Sequence, residues 1–226
     1  MGLECSLFLC EPWYVQRGMR GFMSLLPVFH IGLWNAWMLV LYYPLHPLLL
    51  LLVDKFAGTG GVFRKLAGSP GEYAGKRAAV IASVLTYVLL IYSVFVPLKL
   101  HTAWFYAGIA VFLPGLAAFL VASINVVATP PGEPFVKGIY RFSRHPLYLF
   151  SLFTFAGAGI AAASWLFLLI TASLAVLFPI YVDAEEQDCI ERFGDRYREY
   201  MSRTPRWLGI PRRVLAQETT RRSDRL

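Results

Sequence analysis

Two groups of polar residues stand at the edges of long apolar runs and could do chemistry. Arg144 and His145 precede Pro146, a residue that suits the first turn of a helix. His145 would then lie near the N-cap, where free backbone N–H groups and the nearby guanidinium favour a carboxylate or phosphate. Glu185 and Glu186 follow the next apolar run, and their carboxylates could accept hydrogen bonds from an ammonium group or from ribose hydroxyls.

Each group also has a simpler interpretation. Basic residues commonly flank membrane spans and set their orientation, so Arg144 and His145 could be topology determinants. Glu186 could form a salt bridge with Arg144, or the two glutamates could be solvated. The residues alone leave these alternatives open. The three cysteines have neither zinc-site nor redox spacing, and no metal site is predicted.

The elements that must position these residues are membrane helices. Of the 226 residues, 57% are hydrophobic and 15% are charged, whereas soluble domains have about 45–50% apolar and about 25% charged residues. A spanning helix needs about 20 mostly apolar residues. The composition therefore predicts an all-α, polytopic membrane protein. About five spans are expected, near residues 22–53, 78–98, 104–127, 147–162 and 165–182.

Prolines and small residues shape these spans. Pro44 and Pro47 are expected to kink the first span or to end its regular part near Tyr43. The run 147–182 would be about 54 Å long as one helix, although the hydrocarbon core is only about 30 Å thick. It is therefore predicted to be a hairpin that turns near Ala163 and Ser164, with small residues that let its two backbones approach closely.

The positions of the basic residues orient the chain. Lys and Arg number 18 in the stretches 54–77, 128–146 and 183–226, and 3 on the opposite side. The positive-inside rule then predicts a cytoplasmic C-terminus, in either a bacterial inner membrane or the endoplasmic reticulum. Since topology accounts for the net charge of +7, no nucleic-acid partner is expected.

The segments outside the spans complete this organisation. Residues 1–21 form an N-terminal segment, and residues 208–226 form a basic tail near anionic lipid. Residues 183–207 are predicted to form a cytoplasmic amphipathic helix that could bend at Gly194, with a helix on the membrane surface as the alternative. Its apolar stripe is expected to contain Glu186, Ile190, Phe193, Tyr197 and Tyr200.

Two motifs carry a resemblance to a known family. Residues 138–148 read GIYRFSRHPLY, residues 185–200 read EEQDCIERFGDRYREY, and Thr-Pro-Arg follows at 204–206. In this order, and with an apolar hairpin between them, the motifs resemble the isoprenylcysteine carboxyl methyltransferase family, which is similar to phospholipid N-methyltransferases over the same region. The resemblance covers about residues 125–207. Residues 179–184 lack the Arg that usually precedes the glutamates in isoprenylcysteine enzymes, so it does not extend to a prenylcysteine substrate.

The resemblance implies an S-adenosylmethionine pocket between the last two spans and the C-terminal helix. The cofactor carboxylate would meet the positive cluster, and its ammonium or ribose would meet the glutamates. Arg144 and Glu186 would serve catalysis. The implied cofactor-binding residues are Gly138, Tyr140, His145, Pro146, Tyr148, Glu185, Glu186, Tyr197 and Tyr200.

The expected function is S-adenosylmethionine-dependent methyl transfer to a lipophilic or membrane-delivered acceptor, such as a lipid amine, a carboxylate or a thiol. Transfer from a sulfonium is an in-line displacement, which positioning and water exclusion can promote. An amine acceptor must lose a proton, and Glu186 is the candidate base. The alternatives are an NADPH-dependent membrane reductase of the steroid-reductase type and a non-enzymatic scaffold, which explains the spans but not the paired motifs.

Overall fold

The computed structural model describes Met23 and residues 29–57, 74–130 and 132–210 of the chain. These ranges contain helices and no strand, apart from one isolated bridge between Asn35 and Pro97. The predicted all-α class is therefore confirmed for this part of the chain. The N-terminal segment 1–21 and the basic tail after residue 210 lie outside the described residues. The helices are α1 (Trp37–Val40), α2 (Tyr42–Ala57), α3 (Ala74–Ser93), α4 (Ala103–Ala128), α5 (Pro146–Ala161), α6 (Trp165–Phe193) and α7 (Asp195–Arg203), with a 3-10 helix at Gly138–Arg141.

Helices α4 and α6 are long and apolar enough to cross a membrane, as far as length and composition show. Helix α4 follows the uncharged run predicted at 104–127, and the Thr102 side chain caps it by accepting a hydrogen bond from Phe105 N. Helix α5 and the part of α3 from Arg77 to Ser93 are apolar but shorter than α4 and α6. The arrangement of five spans stays a prediction.

The first predicted span differs from the structure. Regular helix was expected to end near Tyr43, but α2 begins at Tyr42 and continues through both prolines to Ala57. Pro44 lies in the first turn, where a backbone N–H has no helical partner and its loss costs little. Pro47 lies inside the helix. The alternative that these prolines end the helix is wrong, because α2 runs through both of them, and the alternative of a kink stays a prediction.

The second predicted span, 78–98, is helical only as far as Ser93. The residues after it form backbone hydrogen bonds with residues 34–36, from Ala36 N to Val96 O and from Leu98 N to Trp34 O. The non-helical end of this run therefore pairs with the stretch before α1. Its apolar character reflects burial, since Val96 is fully buried.

The hairpin of α5 and α6 lies between α4 and α3. The chain turns at residues 162–164, where Ala163 has a φ of +48° and Ser164 caps α6 by accepting from Phe167 N. Helix α4 packs along α5, and α3 packs along α6. The turn lies where the sequence predicted it, and the packing on both sides holds the start of α5 near the end of α6.

A separate cytoplasmic helix starting at Asp183 is not observed. Helix α6 continues unbroken for 29 residues to Phe193, or about 44 Å at 1.5 Å per residue, which exceeds the roughly 30 Å of the hydrocarbon core. Its charged part, residues 183–193, therefore extends beyond the membrane-spanning part. Gly194, with a φ of +57°, ends the helix where a bend was expected, and α7 follows.

Candidate active site

The start of α5 is built by a compact turn that buries His145. Pro146 occupies the first turn of the helix, as predicted, and His145 is the N-cap residue. The His145 backbone N–H donates to Ser143 Oγ at 3.2 Å, so a neighbouring side chain stabilises the turn. His145 is 5% exposed, and its imidazole therefore needs a polar partner within the protein.

Glu186 supplies that partner and lies at the centre of an ion cluster. Its side chain is 3% exposed, and its Oε1 lies 3.0 Å from His145 Nε2 and 3.4 Å from Arg144 Nε. Its Oε2 accepts a hydrogen bond from Arg206 Nη2 at 2.7 Å. The simple salt bridge that the sequence left open is present, but as one part of a cluster of three cationic side chains around one carboxylate.

Glu185 faces the same cluster from its outer side. Its Oε2 lies 3.6 Å from His145 Nδ1, and its side chain is 40% exposed. Within the described ranges, Glu185 Oε2 and Arg144 Nε are the two buried side-chain atoms without a hydrogen-bond partner. Buried polar atoms normally have hydrogen-bond partners. Arg144 Nε is therefore a donor, and Glu185 Oε2 an acceptor, whose hydrogen-bonding capacity the described residues do not use.

Opposing effects set the pKa values of the cluster. Burial by itself raises the pKa of Glu186, but hydrogen bonds from His145 and Arg206 and the charge of Arg144 outweigh it, and the pKa falls to about 2. Burial lowers the pKa of His145, but its interactions with Glu185 and Glu186 outweigh this effect, and the pKa is raised. Glu186 therefore stays ionised at physiological pH and is a poor acceptor for a proton, which argues against the predicted role as general base.

The four predicted tyrosines come to this cluster from three elements: the 3-10 helix, α5 and α7. The Tyr200 hydroxyl on α7 donates to the Tyr140 carbonyl at 2.7 Å, and both rings are buried. The ring of Tyr197 packs on that of Tyr200, with their centroids 5.6 Å apart. Tyr148 lies 6.1 Å from His145 between ring centroids and packs on aromatic residues of α6. These contacts join α7 to the 3-10 helix and the start of α5 to α6.

Gly138 has a packing role. Its φ is +62°, and a side chain there would collide with the amide of Asn125 on α4. Glycine at this position therefore lets the 3-10 helix approach α4. The predicted contact between Gly138 and a cofactor stays a prediction, although the packing explains the residue.

Sequence reasoning missed Arg206 as a site residue. Its Nη2 lies 2.7 Å from both Glu186 Oε2 and Asp183 Oδ1. Trp207 packs beside it, with its ring 6.4 Å from that of His145. The Thr-Pro-Arg motif was a signal for Arg206, but nothing in the sequence indicated which cluster its guanidinium would enter. In the described part of the chain, no group of three or more His, Cys, Asp or Glu side chains could hold a metal ion.

The comparison with known families agrees with this geometry. Residues 123–196 match the family described as phospholipid methyltransferase. This region is similar to the phospholipid methyltransferase family. The resemblance to the isoprenylcysteine and phospholipid methyltransferases is thereby confirmed for a segment that includes both polar groups, whereas Arg206 lies outside it.

A curated relative matches about a third of the chain. Methanethiol S-methyltransferase 1 from Bradyrhizobium diazoefficiens is 37% identical over 76 residues, which are 34% of this chain and 26% of the relative. The match thus spans about a quarter of the relative's length. The similarity is to one portion of that methyltransferase.

Proposed function

We propose that this protein is an S-adenosylmethionine-dependent methyltransferase that acts on a lipophilic or membrane-delivered acceptor. The observation that carries the proposal is the cluster of Arg144, His145, Glu185 and Glu186, which lies in a membrane methyltransferase region and keeps unused hydrogen-bonding capacity. A structural ion cluster would be expected to satisfy its buried atoms internally. Two buried atoms without hydrogen-bond partners instead favour a ligand that has both a negatively and a positively charged group.

The cluster fits the polar groups of the methyl donor. S-adenosylmethionine has a carboxylate, an ammonium group and ribose hydroxyls, and it supplies an electrophilic methyl group on its sulfonium. The buried Arg144 guanidinium, 11% exposed, suits the carboxylate because charge-assisted hydrogen bonds of Arg to carboxylates are strong. The free oxygen of Glu185 suits the ammonium or ribose. Tyr148, beside His145, would line the space next to the donor.

Arg144 and Glu186 would contribute in different ways. Arg144 would bind the donor and orient it for in-line transfer. Glu186 would act as a positioning residue, because its lowered pKa keeps its negative charge in place between His145 and Arg144. An amine or thiol acceptor would then lose its proton to another group or to water.

The membrane setting favours an acceptor that partitions into lipid. The apolar helices α4 and α6 are the membrane-capable helices of the described chain, and the ion cluster lies at the charged end of α6. An acceptor moving along the bilayer would reach this end without crossing water. The acceptor named for the relative is methanethiol, so thiols should be tested beside lipid amines and carboxylates.

We also propose that the C-terminus is cytoplasmic, which would place the ion cluster on the side where the donor is made. The distribution of basic residues supports this orientation. Reporter fusions at the two ends would test it. If both ends report on one side, the number of spans is even and the proposed topology is wrong.

A binding titration tests the donor site directly. Calorimetry of the purified protein in nanodiscs should show binding of S-adenosylhomocysteine and no requirement for NADPH. Arg144→Gln should weaken binding by about 10- to 150-fold, as expected for the loss of a charge-assisted hydrogen bond. Arg141→Gln is the matched control, because Arg141 is exposed and three residues earlier. Binding of NADPH without S-adenosylhomocysteine would favour a reductase, and equal binding by both variants would exclude Arg144 from the site.

A further inference from the structure

The residues after α7 form a strap across the start of α5. This strap, residues 204–209, follows the end of α7 and lies beyond the segment 123–196 that matches the family. Three hydrogen bonds fasten it to residues 142–144, so its path is set by contacts with the site. They run from Arg144 N to Pro205 O at 3.1 Å, from Ser143 Oγ to Arg206 O at 3.3 Å, and from Gly209 N to Phe142 O at 3.1 Å.

The strap inserts one cation into the ion cluster. Arg206 Nη2 is 2.7 Å from Glu186 Oε2, whereas His145 and Arg144 both approach Oε1. The two oxygens of one carboxylate therefore have different partners. Among the described residues, Arg206 is the one that donates to Oε2.

This division matters because the carboxylate is buried. Without Arg206, Oε2 would be an unpaired buried acceptor, and the carboxylate could rotate to recruit another donor. Arg144 is the candidate, because its Nε lies 3.4 Å from Oε1 and makes no hydrogen bond within the described residues. Arg144 would then be occupied by Glu186 and would no longer offer its guanidinium to a ligand.

We propose that Arg206 is a positioning residue of the methyl-donor site, which occupies one oxygen of Glu186 so that Arg144 stays available for the donor's carboxylate. The identity of the ligand in this inference rests on the proposed function. The pairing of Arg206 with Glu186 does not depend on that function. The strap thus completes the site from outside the family-matching segment.

The groups that face Glu186 come from four elements. His145 and Arg144 lie at the start of α5, Arg206 on the strap, Glu185 on α6 itself, and Tyr197 and Tyr200 on α7. Asp183, which is exposed, pairs with the outer side of Arg206. Of these, the cations lower the pKa of Glu186 against the effect of burial, so removal of Arg206 should raise it.

Thermal unfolding of the ligand-free protein at several pH values tests the pairing. At pH 7, Arg206→Ala should lower Tm by about 3 °C or more. The gap in Tm to the wild type should narrow as the pH falls from 7 towards 2, because the pKa of Glu186 is higher in the variant and its carboxylate takes up a proton before that of the wild type does. In the wild type, the stabilisation by Glu186 persists above its ordinary pKa of 4.5 and is lost below it.

Two further variants make this test specific. Arg206→Lys retains a positive charge and should therefore recover most of the Tm that Arg206→Ala loses. It replaces Arg206→Ala as the test variant if Arg206→Ala does not fold. Arg203→Ala is the matched control, because Arg203 is exposed and pairs with the exposed Glu199. A Tm gap that is independent of pH would show that the strap acts through packing alone and would overturn the proposal. An Arg206→Ala variant with the Tm of the wild type would also overturn it.

Calorimetry with S-adenosylhomocysteine tests the effect on the donor. Arg206→Ala should weaken binding by about 10-fold at pH 7, and by less at lower pH, where protonation of Glu186 would release Arg144. Equal affinity of Arg206→Ala and wild type would overturn the positioning role. If the wild type does not bind S-adenosylhomocysteine, the proposed function fails together with the donor part of this inference, whereas the pH dependence of unfolding still decides the pairing.

Discussion

The two ends of α5 are held by different kinds of contact. Near its C-terminal end the backbone of Gly157 packs against the backbone of α4, and a side chain built there would lie 2.7 Å from Phe112 N. This interface has small apolar residues and no charge. At its N-terminal end, His145 is held by Glu186 and Glu185, and Arg144 and Glu185 each keep a buried atom without a hydrogen bond.

The apolar interface between α4 and α5 contributes stability, whereas the ion cluster offers polar atoms to which a ligand could bind. Close backbone packing tolerates no added atom, since a well-packed interior can relax only by moving its helices. The ion cluster contains buried polar atoms without a hydrogen-bond partner. Such atoms destabilise a protein unless a ligand supplies the missing partner. The apolar interface therefore fixes where α5 lies, and this position brings His145 to the glutamates of α6.

Replacing the central carboxylate should have the largest effect on stability. Glu186→Gln removes the charge that faces three cations, and breaking a buried ion pair costs about 3–5 kcal/mol. Because the pKa of Glu186 is lowered to about 2, wild-type stability from this group is lost as pH falls from 4.5 towards 2, and the variant should lack this component. Denaturant unfolding of the wild type and the variant, at pH 4.5 and nearer pH 2, measures this component of the stability. Glu199→Gln, at an exposed pair, is the control, and equal losses in both variants would contradict the central role of Glu186.

Overpacking the apolar interface should have the next largest effect. Gly157→Ala places a methyl group against the backbone of α4 and should destabilise the protein by about 1–3 kcal/mol. In Gly159→Ala, the added methyl group would meet the Leu168 side chain at 2.8 Å, and a side chain can move more readily than a backbone. Unfolding of both variants should therefore show the smaller loss for Gly159→Ala. The opposite order would show that α4 and α5 separate easily.

The tyrosine contact between α7 and the 3-10 helix should contribute less. Tyr200→Phe removes a 2.7 Å hydrogen bond to the Tyr140 carbonyl and should cost about 1 kcal/mol. Tyr106→Phe, at a ring that is 61% exposed, should leave the unfolding free energy unchanged. A Tyr200→Phe variant as stable as wild type would indicate that water or another donor replaces the hydroxyl.

Glu185 should distinguish binding from stability most clearly. Its side chain is 40% exposed and its Oε2 makes no hydrogen bond, so Glu185→Gln should change stability by less than about 0.5 kcal/mol. It should weaken S-adenosylhomocysteine binding measurably, but less than Glu186→Gln does. If Glu185→Gln proves the more damaging to affinity, the contact of Glu185 with the donor matters more than the positioning by Glu186.

Several features were predictable because they depend on neighbouring residues. The turn near Ala163 followed from the length of an uncharged run, and the position of Pro146 followed from its fixed φ. The start of α2 was not predictable in this way, since prolines are compatible with the beginning of a helix as well as with its end. The extension of α6 past Val182 was missed because a change in polarity was taken as a helix boundary, although a helix can leave a membrane without ending.

The sequence by itself determined an all-helical, membrane-capable chain and the two polar motifs, because hydropathy, charge and proline positions are local properties of the chain. Tertiary structure decided which of these motifs meet and how. Glu186 and Arg206 are 20 residues apart, and Glu186 and His145 are 41 apart, so no local pattern shows that one carboxylate divides its oxygens between them. That division depends on the packing of α4 against α5 and on the strap beyond α7, and it turns two basic motifs and a pair of glutamates into one charged site.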